Sequence, residues 1–112
     1  EDDPALREML KVALGEEGHR VATAADGELA LGECAMEEPA LILLDLDLPV
    51  MGGREFLERY RAGPHPLAKV AVVSGVADAD VIARQLVADA FIGKPFDVEN
   101  LLHAVHGLLP AP

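Results

Sequence analysis

The sequence predicts an α/β domain built around a mainly parallel β-sheet. Three observations predict it. Leu41-Ile42-Leu43-Leu44 and Val70-Ala71-Val72-Val73 are aliphatic runs without alternation, the pattern of parallel strands covered on both faces. Stretches of helical period stand before, between and after them, so helices alternate with strands. The polar residues Asp45 and Ser74 directly follow the two runs, and Lys94 follows a third short strand pattern after one glycine. In sheets of this kind, ligands gather at the carboxyl ends of the strands.

Each element has its own local signal. Asp3 can cap a first helix and Pro4 suits its first turn. Leu6, Met9, Leu10, Ala13 and Leu14 then share one face. Gly15 and Gly18 are expected to end that helix. Arg20-Val21-Ala22-Thr23-Ala24 alternates and is expected to be a strand with one wet face. Asp26 and Gly27 open a second helix running to about Met36, and Pro39 breaks it. Phe56, Leu57 and Tyr60 mark a third helix, and Asp78 to about Leu86 a weaker fourth. Ala90-Phe91-Ile92 reads as a last strand. Asp97 caps a final helix that carries Leu101, Leu102, Val105, Leu108 and Leu109 inward.

The bulk numbers set limits. The 112 residues fit one domain, and an apolar content of 51% suffices for a core. A net charge of −11 argues against a nucleic-acid surface and against a polybasic membrane patch. The longest aliphatic run, Ala40 to Leu44, is too short to cross a bilayer. The single cysteine, Cys34, cannot form an internal disulfide, which favours a reducing cytoplasm. The domain is expected to span residues 1–109, with Pro110-Ala111-Pro112 starting a linker or tail.

The polar residues make a chemically coherent set. A carboxylate such as Asp45 can attack a phosphoryl group and form an aspartyl phosphate. Phosphoryl transfer asks for charge neutralisation and positioning more than for covalent help. Mg²⁺ supplies neutralisation when held by one or two carboxylates and the phosphate oxygens. A Lys adds a point charge, and a Ser hydroxyl can donate a hydrogen bond. Taken singly, each residue has a plainer reading. Asp45 and Asp3 could be helix caps, Ser74 before Gly75 a turn residue, and Lys94 a solvated lysine. Their joint placement on successive strand ends favours the functional reading.

Several stretches then carry a family likeness. They are Glu1-Asp2-Asp3-Pro4 with Arg7, the segment from Val21 to Leu31 centred on Asp26-Gly27, and Leu44-Asp45-Leu46-Asp47-Leu48-Pro49-Val50-Met51-Gly52-Gly53. Val73-Ser74-Gly75 and Gly93-Lys94-Pro95-Phe96-Asp97 complete them. Along its whole length the sequence resembles the response-regulator receiver family of two-component signalling. The resemblance implies a flavodoxin-like, doubly wound parallel sheet in the strand order 2-1-3-4-5. It implies Asp45 as phosphoacceptor, Glu1 and Asp2 as an acidic pocket, and Mg²⁺ held by Asp2, Asp45 and the backbone carbonyl of Asp47. It implies Ser74 and Lys94 on the phosphoryl oxygens, Phe91 as an aromatic switch residue, and a cis Lys94-Pro95 peptide. It also implies a histidine kinase or phosphotransfer protein as donor. Phosphorylation would be read out on the face of the fourth helix, last strand and final helix, toward an output domain or a second copy.

The sequence departs from the family at four points. The family's first strand would precede Glu1 and is absent from the chain, although it would lie inside the sheet. Asp47 stands where the family more often has Met or Asn, and reads as a solvated loop acid or as a modulator of phosphoryl lifetime. Gly52 replaces an acid or Asn before the loop's final Gly. Val76, two after Ser74, is apolar and of a size to tune access.

Two rival functions are carried forward. Asp45-Leu46-Asp47 after an aliphatic strand also resembles the Asp-x-Asp of haloacid-dehalogenase-type phosphatases. That motif normally stands near the start of a chain and needs an acidic pair after the Lys, where only Asp97 and Glu99 are available. The other rival is a receiver-like binding module regulated without phosphorylation. His103 and His106, three apart on the final helix, read as surface residues rather than as metal ligands.

Overall fold

A computed structural model describes residues 3–109. Its elements run α1 (Pro4–Glu16), α2 (Gly27–Met36), β1 (Leu41–Leu44), α3 (Gly53–Arg61), β2 (Lys69–Ser74), α4 (Ala79–Gln85), β3 (Ala90–Gly93) and α5 (Val98–Leu108). The described strands form one parallel sheet in the order β1-β2-β3, with Leu44 opposite Val72 and Ser74 opposite Gly93. No described helix is long and apolar enough to cross a membrane.

The caps follow side-chain chemistry. Asp3 Oδ1 accepts from the Ala5 and Leu6 N–H groups at 2.9 and 3.3 Å, which satisfies two orphan donors of α1. Asp26 Oδ1 accepts from Leu29 N–H at 2.9 Å, and Asp97 Oδ1 from Glu99 N–H at 2.8 Å. α1 runs through Gly15 and stops only at Glu16, because Gly18 supplies the left-handed φ of 93° that turns the chain out of the helix.

The sheet is covered on both faces, which is why β1 and β2 show no alternation. On one face α2, α3 and α4 enclose Leu44, Met51, Phe56, Leu57, Tyr60, Val70 and Leu86. On the other, α1 and α5 close Leu14, Leu101 and Val105 over Leu41, Leu43 and Ile92. Phe56 and Leu101 are fully buried, and such side chains each contribute about 1.5–3 kcal/mol of hydrophobic stabilisation.

Residues 20–24, expected as a strand, form none. A parallel ladder needs a neighbouring strand to exchange hydrogen bonds with. Among the described residues no strand pairs with the edge of β1 facing away from β2, so the described sheet has three strands, one fewer than the four the sequence reading placed within the chain. Val21 still packs against the Leu14–Leu101–Val105 cluster beside Leu41 and Leu43. The exposure pattern does not alternate either: Val21 and Ala24 are half-buried, whereas Arg20, Ala22 and Thr23 are exposed. The three described strands keep the relative order of the last three in the expected 2-1-3-4-5 sheet. Glu1, Asp2 and residues 110–112, including the expected tail, lie outside the described residues.

α4 is the shortest helix described, and its ends are unusual. Asp78 occupies the N-cap position at φ 58° with no side-chain cap hydrogen bond. At the other end Ala88 N–H donates to Ala83 O at 3.0 Å and Val87 N–H to Arg84 O at 3.1 Å. This is a Schellman cap, which places Val87 at a left-handed φ of 54°, a position that favours glycine. A side chain in that region costs roughly 1–2 kcal/mol.

At the amino end of the sheet, Tyr60 is tied to the chain leading into β2. Its hydroxyl donates to Glu38 Oε1 at 2.6 Å and accepts from Ala68 N–H at 2.9 Å. Tyr60→Phe is expected to lower stability by about 1–2 kcal/mol, because the Ala68 N–H loses its acceptor. Burial, then the bond to Glu38, raises the Tyr60 hydroxyl pKa above its ordinary value. A raised folded pKa gives stability that is full below the unfolded value, about 10, and is lost as pH rises through the folded one. Urea unfolding across alkaline pH should therefore show a steeper loss for the parent than for Tyr60→Phe.

Candidate functional site

The parallel strands deliver Asp45, Ser74 and Lys94 to one rim. Asp45 follows Leu44 directly and is 6% exposed. Its Oδ2 accepts from Lys94 Nζ at 2.7 Å, and its Oδ1 from Asp47 N–H at 3.0 Å. Lys94 is placed from behind: its N–H donates to Ser74 O at 3.0 Å, extending the β2–β3 pairing by one residue. The Lys94-Pro95 peptide is cis. A Cβ at Gly75 would lie 3.3 Å from Lys94 Cβ and 3.4 Å from its carbonyl oxygen, so glycine there lets the two strand ends come together.

These groups open onto a cleft of about 310 Å³ lined by Asp45, Asp47, Gly75, Val76 and Lys94. The Asp45 side chain is 7% exposed and that of Lys94 23%, so the pair lies at the floor of the cleft with the lysine nearer solvent. Attraction between opposite charges strengthens as water is excluded, and the charge-assisted contact fixes both side chains.

The loop from Asp45 to Gly53 is held at three points. Gly53 N–H donates to Leu46 O at 3.2 Å and closes the loop on itself. A tight turn at Val50, φ 66°, with Met51 N–H donating to Pro49 O at 2.6 Å, drops Met51 into the core. Met51 O then accepts from Gly27 N–H at 3.2 Å, tying the loop to the start of α2. Gly53 is squeezed hardest, since a Cβ there would lie 2.3 Å from the Asp45 carbonyl oxygen and 2.8 Å from Leu46 Cα.

The other residues singled out from the sequence sit as follows. Ser74 ends β2 as expected but is only 1% exposed, and its Oγ accepts from Val76 N–H at 3.1 Å, so it lies behind the cleft wall. Asp47 is exposed at the cleft edge and touches Asp45 through its backbone N–H. Phe91 is 40% exposed on β3, with Gly93 beneath its ring edge. Glu1 and Asp2 fall outside the described residues. His106 lies 3.7 Å from Glu17 and next to His19, and no described cluster of three His, Cys, Asp or Glu residues could hold a metal. Sequence reasoning missed the bracing role of Gly53. Its only signal was a second glycine just before the helical pattern of Phe56, Leu57 and Tyr60.

Residues 1–106 match the family model described as the response regulator receiver domain. The chain belongs to this family. As a receiver domain it is 31% identical over 112 residues to sporulation initiation phosphotransferase F of Bacillus subtilis, covering 98% of this chain and 90% of that protein. It is 34% identical over 110 residues to the DNA-binding response regulator MtrA of Mycolicibacterium smegmatis, covering 97% of this chain and 48% of that protein. The receiver domain thus spans about half the length of several curated relatives it matches. Among solved structures it resembles the chemotaxis protein CheY4 of Vibrio cholerae, with a TM-score of 0.88, 27% identity, and 97% and 93% of the two chains covered. It also resembles the response regulator TrrA of Thermotoga maritima in complex with Mg²⁺-BeF, with a TM-score of 0.84, 30% identity, and 96% and 93% covered. These receivers bear out the flavodoxin-like α/β fold expected from the sequence.

Proposed function

We propose that Asp45 is the phosphoacceptor of this receiver domain. The observation that carries the reading is the buried Asp45–Lys94 pair at the floor of a cleft between parallel strand ends. A carboxylate oxygen of Asp45 attacks the phosphorus of a phosphohistidine or of a small phosphodonor. The P–N or P–O bond to the donor breaks, its electron pair leaves with the imidazole or leaving oxygen, and an acyl phosphate remains on Asp45. Lys94 then shifts its charge from the carboxylate to a phosphoryl oxygen. Ser74 is proposed to donate its hydroxyl proton to another oxygen; its contact with Val76 N–H, in which Oγ accepts, does not use that proton.

Asp45 and Asp47 offer hard oxygen donors at the cleft, the kind Mg²⁺ prefers. The proposed holders are the Asp45 carboxylate, the Asp47 backbone carbonyl and Asp2, with Glu1 completing the acidic pocket. When bound, Mg²⁺ neutralises charge on the phosphoryl group. Phe91 is proposed as the switch residue on the face of α4, β3 and α5, read by an output domain or a second copy. The donor is proposed to be a histidine kinase or phosphotransfer protein in the cytoplasm. The domain is proposed to span residues 1–109, and its chemistry to be confined to its own Asp45.

Intact mass after incubation with Mg²⁺ and a small phosphodonor tests the site. The parent protein is expected to gain one alkali-labile phosphoryl group and Asp45→Ala none. Equal gain by both would place the phosphoacceptor elsewhere. Absence of gain by the parent with every donor would favour the binding module regulated without phosphorylation.

Asp47 lines the same cleft as Asp45 and adds like charge there. Asp47→Asn is expected to speed uptake from an anionic donor by about threefold to tenfold at low salt, with the difference shrinking as salt rises. Uptake at equal rates would leave Asp47 a solvated loop acid.

A further inference from the structure

We propose that Arg61 is a latch that holds α4 in place and, through α4, sets the wall of the cleft. Arg61 is the last residue of α3, and its guanidinium reaches across to the carboxyl end of α4. There Nη1 donates to Leu86 O and Nη2 donates to Val87 O at 3.1 Å. The last carbonyls of a helix have no partner within it and carry its negative dipole end. A planar cation that meets the cap carbonyl of Leu86 and the next one, of Val87, suits that end well.

α4 gains from such a latch because its packing is thin: besides Leu86, only the half-buried Ile82 brings a large side chain to the core. It has seven residues, and its fully enclosed side chains are two alanines, Ala79 and Ala83. Leu86, at its cap, is its one large buried anchor. Its amino end has no side-chain cap, and Asp78 there and Val87 at the far end both adopt left-handed backbone conformations that favour glycine. A helix with strain at both ends and a small buried face opens locally at low cost. Val87 is 76% exposed, so its side chain recovers almost nothing from packing for the strain it introduces.

The amino end of α4 leads into the cleft. Ala79 N–H donates to Val76 O at 3.1 Å, and Val76 N–H donates to Ser74 Oγ at 3.1 Å. Val76 and Gly75 line the cleft beside Asp45. Releasing Leu86 and Val87 therefore frees a segment whose other end forms part of the cleft wall at Val76 and meets Ser74 Oγ through the Val76 N–H. Two arrangements of α4, biased by Arg61 on one side and by charge at Asp45 on the other, are coupled reciprocally. That coupling rests on the receiver reading, whereas the latch itself does not.

Amide hydrogen exchange read by mass spectrometry tests the latch on four proteins: the parent, Arg61→Ala, Arg61→Lys, and Arg61→Ala combined with Val87→Gly. In Arg61→Ala, amides of residues 79–88 are expected to exchange about tenfold to hundredfold faster, the equivalent of one or two lost charge-assisted hydrogen bonds, with α1 and α5 unchanged. Arg61→Lys should fall between, since an ammonium lacks the planar fork. Val87→Gly should restore much of the protection by removing the left-handed strain. Unchanged exchange in α4, or equal acceleration in every element, would overturn the latch. Phosphoryl uptake from a small donor should also rise in Arg61→Ala; faster exchange with unchanged uptake would overturn the coupling to the cleft. Uptake absent from all four proteins would count against the receiver reading, and the exchange result would still decide the latch.

Discussion

Lys94→Ala should take up phosphoryl groups about 10²- to 10³-fold more slowly than the parent, the usual loss when one preorganised charge donor is removed from a reaction site. Its Nζ is 2.7 Å from Asp45 Oδ2, and no other described cation lines the cleft. The same change should cost stability. The Asp45 carboxylate keeps the Asp47 N–H at 3.0 Å but loses its counter-charge while remaining 7% exposed. Breaking a fully buried pair costs about 3–5 kcal/mol. Here the open cleft admits water to the vacated side, so about 1–2 kcal/mol is expected. The two losses should separate in the double variant Asp45→Asn with Lys94→Ala. With the buried charge gone, stability returns close to that of the parent while uptake falls from slow to none. Denaturant midpoints and intact mass on the same samples would check this; a double variant less stable than Lys94→Ala would contradict it.

Gly53→Ala should damage fold and site together. The added Cβ would fall 2.3 Å from the Asp45 carbonyl oxygen and 2.8 Å from Leu46 Cα. Both are backbone atoms, so neither can swing aside as a side-chain tip would. Alanine is the better helix former by about 1 kcal/mol, but overpacking of this kind costs about 1–3 kcal/mol and sometimes more. With backbone atoms on both sides the cost falls at the upper end of that range, and the resulting net loss of about 2 kcal/mol corresponds to a fall of roughly 10 °C in Tm for a domain of this size. The relief route is to move α3 away from the end of β1, which carries Asp45 with it. Displacement of a reacting group by about 1 Å can cost about a hundredfold in rate. Gly32→Ala is the control, since nothing lies within 4 Å of its added Cβ in α2. That change should raise Tm slightly and leave uptake alone. Thermal unfolding and phosphorylation rates of the pair would decide the matter.

The contrast between these two glycines shows where the sequence was informative. Asp45 and Lys94 were legible because strand ends can be read locally, and parallel topology then brings them together. Ser74 was legible in position but not in orientation; the direction of its hydroxyl depends on the turn into Val76. Residues 20–24 were misread because five residues carry too short an alternation to fix a strand, and a ladder depends on a neighbour elsewhere. Gly53 stood in the loop motif, but nothing in the sequence said how tightly it would be enclosed compared with Gly32. Only the approach of α3 to the end of β1 distinguishes them. Arg61 carried no signal, because an arginine at the end of a helix usually serves the solvent and the dipole of its own helix.

The Asp45–Lys94 contact joins residues separated by 49 positions in the chain. Long-range contacts form late, since loop closure must be completed before they contribute. On a ribosome the segment from Asp45 through α4 emerges first, and Lys94 arrives only with β3. A nascent chain therefore displays the Asp45 carboxylate before its counter-charge. The paired carboxylate and ammonium are therefore assembled only when nearly the whole domain has been synthesised and docked, and until then Asp45 stands as a carboxylate without the cation that the finished fold sets against it.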